Sequence, residues 1–263
     1  MTETVQVGGF NDVELTGQQK QMLGFLDWCE NLPQMPPLRD RSHQLLDLPS
    51  GATVLDVGCG VGTATAQLAE SGLDAIGVDA SGFLVQVGRQ RHPQLRLIEA
   101  RAEDLPLEDA SVDGYRAERV YQHLTDPTAA LAEARRVLRP GGRLVLVELD
   151  ADLWTVDASD MDTTRKLGRA FADTIAYPWI GRRFHSLLQD AGFEDIEVEL
   201  FPLVYRDYAQ CGVVLQSVAA AGKASGAVTP EAADAWLAEQ QERAKTGKLF
   251  VMVPMFIASA TRP

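Results

Sequence analysis

The segment VLDVGCGVGT, at residues 54–63, constrains the fold of this chain more than any other feature. A short apolar run leads into three closely spaced glycines, and a helical pattern follows over residues 63–71. Short apolar runs bounded by turn residues are typical of buried strands. Glycines let the backbone adopt positive φ and let a ligand approach without a Cβ in the way. The segment therefore predicts a strand, a ligand-binding turn and a helix.

An acidic residue stands where a nucleoside-binding turn needs one. Asp79 follows the next apolar run, residues 75–78, about twenty positions after the glycine turn. A carboxylate at the end of this second strand can accept hydrogen bonds from both hydroxyls of a ribose. The pairing of the turn with Asp79 therefore predicts a nucleoside-containing ligand.

The glycine spacing argues against a nicotinamide cofactor. Gly58, Gly60 and Gly62 form G-x-G-x-G, whereas a nicotinamide-binding turn has G-x-G-x-x-G and would need glycine in place of Thr63. Asp56, inside the first strand, is also unusual for a nicotinamide site. A buried carboxylate needs hydrogen-bond donors, which the ammonium of an amino-acid ligand or N–H groups of the turn can supply.

Strands and helices alternate through residues 49–150, which we predict to be the cofactor-binding half of a single domain spanning residues 1–263. Short connections between them indicate a doubly wound, mostly parallel sheet, with the ligand beyond the carboxyl ends of the strands. The predicted strands are residues 54–57, 75–78, 95–99, 112–116 and 144–149, and helices are predicted at residues 63–71 and 128–138.

The remaining segments predict a helical cap and the end of the sheet. Residues 1–48 are predicted to be an N-terminal helical cap, with one amphipathic helix at residues 18–29 and an interruption at PQMPP, residues 33–37. Residues 151–180 and 205–247 are predicted cap inserts. Further helices are expected at residues 184–191, 208–221 and 230–245, with strands at residues 194–201 and 249–258.

The composition narrows the possible partners. A net charge of −13 disfavours nucleic acid, because phosphate backbones are bound by clustered Lys and Arg. No run of roughly 18 apolar residues occurs, and the first residues lack the pattern of a signal peptide. Three widely spaced cysteines fit neither a disulfide framework nor a zinc site. We expect a cytoplasmic monomer or homodimer, without a metal, a nucleic-acid partner or a membrane association.

Taken together, these segments resemble the class I S-adenosylmethionine-dependent methyltransferases. The D-x-G-x-G-x-G pattern from Asp56 with Asp79 resembles the first two motifs of that family. Three later segments resemble its following regions in order and spacing: RAEDLPLEDASVDG at 101–114, VYQHLTDP at 120–127 and EARRVLRPGGRLVLVE at 133–148. The resemblance implies an α/β, Rossmann-like sheet of seven strands with a helical cap, and S-adenosylmethionine as the cofactor.

The resemblance also implies a role for each matching residue. The methionine part of the cofactor would face the glycine turn, namely Gly58, Gly60, Gly62 and Thr63. Asp56 would orient that end directly or through water, and Arg119 would meet the cofactor carboxylate or make an ion pair instead. Asp79 would bind the ribose, and the adenine would lie against Ala80, Leu84 and the backbone of Ala102. The family often has Asp where this chain has Arg101, and a guanidinium cannot accept a hydrogen bond. We therefore expect Glu103 to accept the hydrogen bond from the adenine amine.

The acceptor site is less defined. Aromatic and polar residues near the strand ends are expected to form a substrate pocket, namely Tyr121, His123, Trp154, Tyr177 and Trp179, roofed by Phe250, Met252, Met255 and Phe256. His123 is the candidate general base, with a structural role as the alternative. The apolar cap predicts a largely apolar small-molecule acceptor, and together with the family resemblance it implies a polyketide-like secondary metabolite that is methylated on oxygen or carbon.

Two other functions stay open at this point. Some relatives resembling this chain keep S-adenosylmethionine as a structural cofactor and cyclise a bound apolar chain, and the absence of an obvious base favours that alternative. A cofactor-binding regulatory protein is the third possibility. Magnesium-dependent catechol chemistry is disfavoured because no metal triad is evident, and amide or nucleobase N-methylation because RAERVY replaces an NPPY-like motif after strand four.

Overall fold

A mixed eight-stranded sheet organises residues 19–263, the part of the chain that the computed structural model describes. The strands are β1 (Thr53–Val57), β2 (Asp74–Asp79), β3 (Arg96–Glu99), β4 (Val112–Glu118), β5 (Leu138–Leu149), β6 (Thr155–Val156), β7 (Glu194–Tyr205) and β8 (Val251–Thr261). Their order is β3-β2-β1-β4-β5-β8-β6, with β7 also paired to β8. β1 to β5 run parallel, and β8 is antiparallel to β5, β6 and β7.

The central parallel strands are apolar because helices cover both of their faces. In β1, Val54 and Leu55 are fully buried and Val57 is nearly so. The predicted doubly wound sheet is confirmed, and the two-residue β6 adds an eighth strand to the seven expected. Strand order reverses between β1 and β4, so the crevice beyond their carboxyl ends is where a ligand should bind.

Nine helices belong to the described part of the chain: α1 (Gln19–Glu30), α2 (Met35–Leu46), α3 (Thr63–Glu70), α4 (Gly82–Arg91), α5 (Pro127–Val137), α6 (Met161–Ala172), α7 (Ile180–Asp190), α8 (Tyr208–Ala224) and α9 (Pro230–Lys245). Sequence analysis did not predict α4, although Ser81 caps it by accepting a hydrogen bond from the N–H of Leu84 at 3.3 Å. No helix within residues 19–263 is both long and apolar enough to cross a lipid bilayer.

The Pro-rich segment begins a helix instead of interrupting one. Pro36 and Pro37 lie in the first turn of α2, where proline removes no intrahelical hydrogen bond and its fixed φ suits the helix. The connection between α1 and α2 is residues 31–34, and residues 35–37 of the predicted interruption are helical.

The cap helices α6, α8 and α9 pack on one another. Leu167 of α6, Leu215 of α8 and Trp236 of α9 are buried in a shared core, and the Trp236 indole donates to the Thr164 hydroxyl at 3.0 Å. The Trp28 indole of α1 donates to the carbonyl oxygen of Ala209 at 3.3 Å. The first helix and the start of α8 are thus fastened to each other.

Candidate active site

One continuous cavity of about 270 Å³ lies at the point where the strand order reverses. On the sheet side its walls include the glycine turn and Asp79, and on the cap side they include Trp28, Trp154 and Phe171. Several of the residues predicted separately for the cofactor and for the acceptor therefore face the same space.

The glycines of the turn serve different purposes. Gly58 has φ +67°, and a Cβ on it would lie 2.2 Å from Cγ2 of Val120. Gly60 has φ +56°, lines the cavity, and a Cβ on it would meet no atom within 4 Å. Gly62 is the N-cap of α3 and does not line the cavity. The open face at Gly60 is the place where a ligand can lie directly on the backbone.

Asp79 connects the glycine turn to the end of β2. Its carboxylate accepts hydrogen bonds from the N–H of Gly60 at 2.8 Å and of Ser81 at 2.9 Å. Burial raises the pKa of Asp79, and these two N–H donors oppose that shift. Because each carboxylate oxygen can accept more than one hydrogen bond, Asp79 can hold the turn and still accept from ribose hydroxyls.

The residues predicted around adenine lie together on the cavity wall, namely Ala80, Leu84, Ala102 and Glu103. Glu103 pairs with Arg101 at 3.5 Å, and its Oε1 lies 3.5 Å from the N–H of Asp126. Arg101 also lines the cavity, but its side chain is 54% exposed, whereas that of Glu103 is 14% exposed.

Asp56 finds its donors in a buried network and not in the glycine turn. Its Oδ1 accepts from Nη1 of Arg116 at 2.9 Å, and its Oδ2 accepts from the Thr65 hydroxyl at 2.7 Å. Arg116 also donates to Glu118 and to the Ser42 hydroxyl. Sequence analysis missed Arg116, although a charged residue in the buried strand β4, in register with Asp56, was a signal that could have revealed it.

The network continues to the first two helices. Arg39 of α2 donates to Glu30 of α1 at 2.6 Å and lies 3.5 Å from Glu118. Nη2 of Arg119 lies 3.3 Å from Glu118 and 3.6 Å from Glu30. Burial would raise the pKa of Glu118, but Arg116, Arg39 and Arg119 together lower it to about 2. Arg119 therefore has carboxylate partners within the protein, and its contact with a cofactor carboxylate stays a prediction.

His123 lines the cavity from a short 3₁₀ helix, Tyr121–His123, that follows β4. Burial, and then the nearby Arg119 guanidinium, lower the pKa of His123 to about 4. The imidazole is therefore neutral at neutral pH and can accept a proton.

A buried carboxyl group, that of Glu148, contacts the backbone of this 3₁₀ helix. Glu148, near the end of β5, accepts hydrogen bonds from the N–H groups of Gln122 and Leu149, each at 3.2 Å. Burial raises the pKa of Glu148 to about 8.

The cap side of the cavity, where the acceptor is predicted to bind (the acceptor half), is mainly apolar. The Trp154 and Phe171 rings lie 5.2 Å apart between centroids. The other apolar side chains come from α1, α2, β7, α8 and β8 and their connections, namely Phe25, Leu26, Leu32, Met35, Leu203, Val214, Leu215, Val251, Val253 and Met255. Most of these were missed, because an amphipathic pattern predicts a buried face but not which buried residues border a cavity.

Several residues predicted for the acceptor pocket lie elsewhere. Tyr121 is buried in the core, where its hydroxyl lies 3.1 Å from that of Tyr115. Tyr177 donates to the carbonyl oxygen of Thr125 at 3.2 Å, and Trp179 is 47% exposed at the start of α7. Of the predicted roof only Met255 lines the cavity; the side chains that do not are Phe250, Met252 and Phe256.

Comparison with known proteins agrees with this geometry. A family model described as "Methyltransferase domain" matches residues 55–146. The chain is 38% identical over 224 residues to an uncharacterized protein of transposon TN4556 from Streptomyces fradiae, covering 82% of this chain and 64% of that protein. It is 35% identical over 156 residues to the O-methyltransferase cnsE of Penicillium expansum, covering 56% of this chain and 54% of that enzyme. The match thus spans less than two thirds of either relative.

Solved structures share the fold. A putative methyltransferase from Bacillus halodurans superposes with a TM-score of 0.61 at 19% identity, covering 86% of this chain and 98% of that one. The [4+2]-cyclase SpnF superposes with a TM-score of 0.57 at 22% identity, covering 86% of this chain and 80% of that one. Residues 55–146 therefore form a methyltransferase domain, and the fold around them is that of the class I S-adenosylmethionine-dependent methyltransferase family.

The residues present fit that family's cofactor, S-adenosylmethionine. The open face at Gly60 accommodates a ligand against the backbone, and the Asp79 carboxylate at the same wall has the acceptor capacity that a ribose needs. In the described range of the chain, no group of three His, Cys, Asp or Glu side chains is arranged to hold a metal ion.

Proposed function

We propose that this protein transfers a methyl group from S-adenosylmethionine to an oxygen or carbon atom of a largely apolar small molecule, of the polyketide-like secondary-metabolite type. The observation that carries the proposal is the continuity of the cavity. Gly60 and Asp79 line it on the sheet side, and Trp154 and Phe171 line it on the cap side. An acceptor in the apolar half and a cofactor on the glycine turn would occupy one continuous space.

The chain's own residues would divide the work of binding. S-adenosylmethionine supplies, when bound, a methyl group on a sulfonium that is already an activated leaving group. Asp79 would accept hydrogen bonds from the ribose, and Leu84 with Ala102 would lie against the adenine. The apolar side chains of the acceptor half exclude water, and holding an acceptor in line contributes about 7–11 kcal/mol to such displacements.

His123 is the proposed proton acceptor. Its neutral imidazole lines the cavity, and a positioned base contributes roughly 10²–10⁴-fold in rate. A pKa of about 4 makes it a weak base, so the proposed role is restricted to acceptors whose own proton is acidic, such as a phenol or an enol. Replacing His123 with Gln should lower kcat by at least about tenfold while leaving cofactor affinity unchanged.

The experiment supplies candidate acceptors together with S-adenosylmethionine carrying a trideuterated methyl group, and follows the product by mass spectrometry. A product that carries the three deuterons supports the proposal. Parallel reactions contain S-adenosylhomocysteine instead. If no acceptor in a broad apolar panel gains the labelled methyl although the cofactor binds, methyl transfer is wrong.

A cyclase that keeps S-adenosylmethionine as a structural cofactor is the second candidate function. The observation that favours it is the apolar wall of the acceptor half, since shaping a folded apolar chain needs no strong base. A new product of unchanged mass, formed equally well with S-adenosylhomocysteine, would select this function over methyl transfer.

A further inference from the structure

Tyr205, the last residue of β7, has an unused hydroxyl at the cavity. The side chain lines the cavity, and the residue is 7% exposed. Within residues 19–263 its hydroxyl makes no hydrogen bond. The oxygen atom nevertheless keeps some accessible surface. Burial raises the pKa of Tyr205 to about 12, so the phenol keeps its proton and can donate it.

Gln210, in the first turn of α8, presents a second donor. The Gln34 amide nitrogen donates at 3.0 Å both to the backbone oxygen of Val204 and to Oε1 of Gln210. Because the Val204 carbonyl can only accept, the Gln34 atom that faces it must be the amide nitrogen. The Gln210 atom that faces the same Gln34 nitrogen must then be the amide oxygen. The Gln210 NH₂ group therefore points away from Gln34, and Gln210 lines the cavity.

Gln34 also joins the two segments that carry these donors. It joins the residue before Tyr205 to the side chain of Gln210, so the end of β7 and the start of α8 are held together. Around them the wall is apolar, with Leu203 and Val214 as neighbours in sequence. A polar donor in such surroundings destabilises the folded protein unless a ligand or water accepts its hydrogen bond.

The other polar groups near Tyr205 are already engaged or are poor competitors. The charged side chain that acts on the pKa of Tyr205 is Arg119, and Arg119 pairs with Glu118 and Glu30. The Cys29 thiol contacts Arg119, and the Cys211 thiol donates to the carbonyl oxygen of Asp207 at 3.5 Å. Burial raises the pKa of both thiols, so they stay protonated.

We propose that Tyr205 and Gln210 form a subsite that donates two hydrogen bonds to an oxygen atom of the acceptor. The acceptor is then an apolar molecule that carries a carbonyl or hydroxyl oxygen, and these two residues select it over a hydrocarbon of the same shape. The inference rests on the proposed function, because it assigns the apolar half of the cavity to the acceptor.

The test measures binding by calorimetry with three probes substituted at the same carbon: naphthol, methoxynaphthalene and methylnaphthalene. The parent protein, saturated with S-adenosylhomocysteine, should bind the two oxygen-containing probes at least about tenfold more tightly than the hydrocarbon. Tyr205→Phe and Gln210→Met should each remove most of that preference without weakening hydrocarbon binding. Tyr208→Phe, on α8 but off the cavity wall, is the matched control and should keep the preference.

Three results would overturn the subsite. The preference for oxygen could be the same in the parent and in both variants, or none of the probes could bind the parent. Alternatively, Tyr205→Phe could weaken S-adenosylhomocysteine as strongly as the oxygen-containing probes, which would place Tyr205 at the cofactor. None of these measurements involves methyl transfer, so failure of the subsite and failure of the proposed reaction are distinguished.

Discussion

Nη1 of Arg116 on β4 lies 2.9 Å from Oδ1 of Asp56 on the adjacent β1, and both side chains are almost completely buried. The two residues are directly in register across the parallel pair. Arg116 joins Asp56 to Glu118, so the floor of the cavity is built from charges that compensate one another. An acidic residue in the first strand is tolerated because its neighbour supplies the countercharge.

Replacing Arg116 with Met should destabilise the protein by about 3–5 kcal/mol, because Asp56 would be left buried without its arginine partner and Glu118 would lose one of its three. Urea unfolding measures the change. Arg41→Met is the matched control: Arg41 pairs with Glu199 at 2.7 Å with both side chains more than a third exposed, so it should cost no more than about 1 kcal/mol. Equal losses in the two variants would contradict a buried role for Arg116.

Alanine substitutions at Gly58 and at Gly60 should differ in their effects on the free energy of unfolding and on cofactor affinity. Gly58→Ala should lower the free energy of unfolding by more than Gly60→Ala, because its Cβ would collide with Val120. Gly60→Ala should cost only the left-handed backbone strain, about 1–2 kcal/mol, yet should weaken the cofactor because its Cβ would enter the cavity. Urea unfolding and calorimetry with S-adenosylhomocysteine measure the two quantities. Undiminished affinity in Gly60→Ala would show that the cofactor does not lie on this turn.

Asp79→Asn should weaken S-adenosylhomocysteine by roughly 1.5–3 kcal/mol, the scale for hydrogen bonds to a charged group. Calorimetry measures the affinity, and circular dichroism checks that the fold survives. Asp74→Asn, at the exposed opposite end of the same strand, is the control and should bind as the parent does. Equal affinity in both variants would remove Asp79 from the ribose site.

Glu148 should make stability depend on pH. Its pKa of 4.5 in the unfolded chain rises to about 8 on folding, so between these values only the folded state holds the proton. Stability from this group is therefore complete at acidic pH and is lost as the pH rises through 8, by at most about 1.4 kcal/mol per pH unit.

Glu148→Gln removes that titration but leaves one backbone N–H without an acceptor. The variant should be less stable than the parent near pH 5, and the difference should shrink near pH 8, in urea unfolding at both conditions. Glu70→Gln, at an exposed helix end, should track the parent at both. A difference that does not change with pH would exclude the raised pKa.

The parts of this site that sequence predicts are those that local patterns determine. The strand, glycine turn and Asp79 are consecutive features of one βαβ unit, so residues 54–79 predict both the fold and the wall that we assign to the cofactor. The family model matches this unit almost from its start and continues to residue 146.

The parts that sequence did not predict depend on contacts between distant segments. Arg116 meets Asp56 only because of the register of two strands, and Gln34 orients Gln210 across 176 positions. Tyr121 and His123 are two positions apart in a 3₁₀ helix, and this geometry buries one in the core and places the other at the cavity. Hydrophobic patterns identify buried side chains, but only tertiary packing decides which of them border a cavity.

The most direct test of this account is calorimetric titration of the purified protein with S-adenosylhomocysteine and, separately, with NADH. Gly60 and Asp79 form the wall that the account assigns to the nucleoside. We expect S-adenosylhomocysteine to bind with one molecule per chain and NADH to give no measurable heat. Binding of NADH without binding of S-adenosylhomocysteine would contradict the assignment of this cavity.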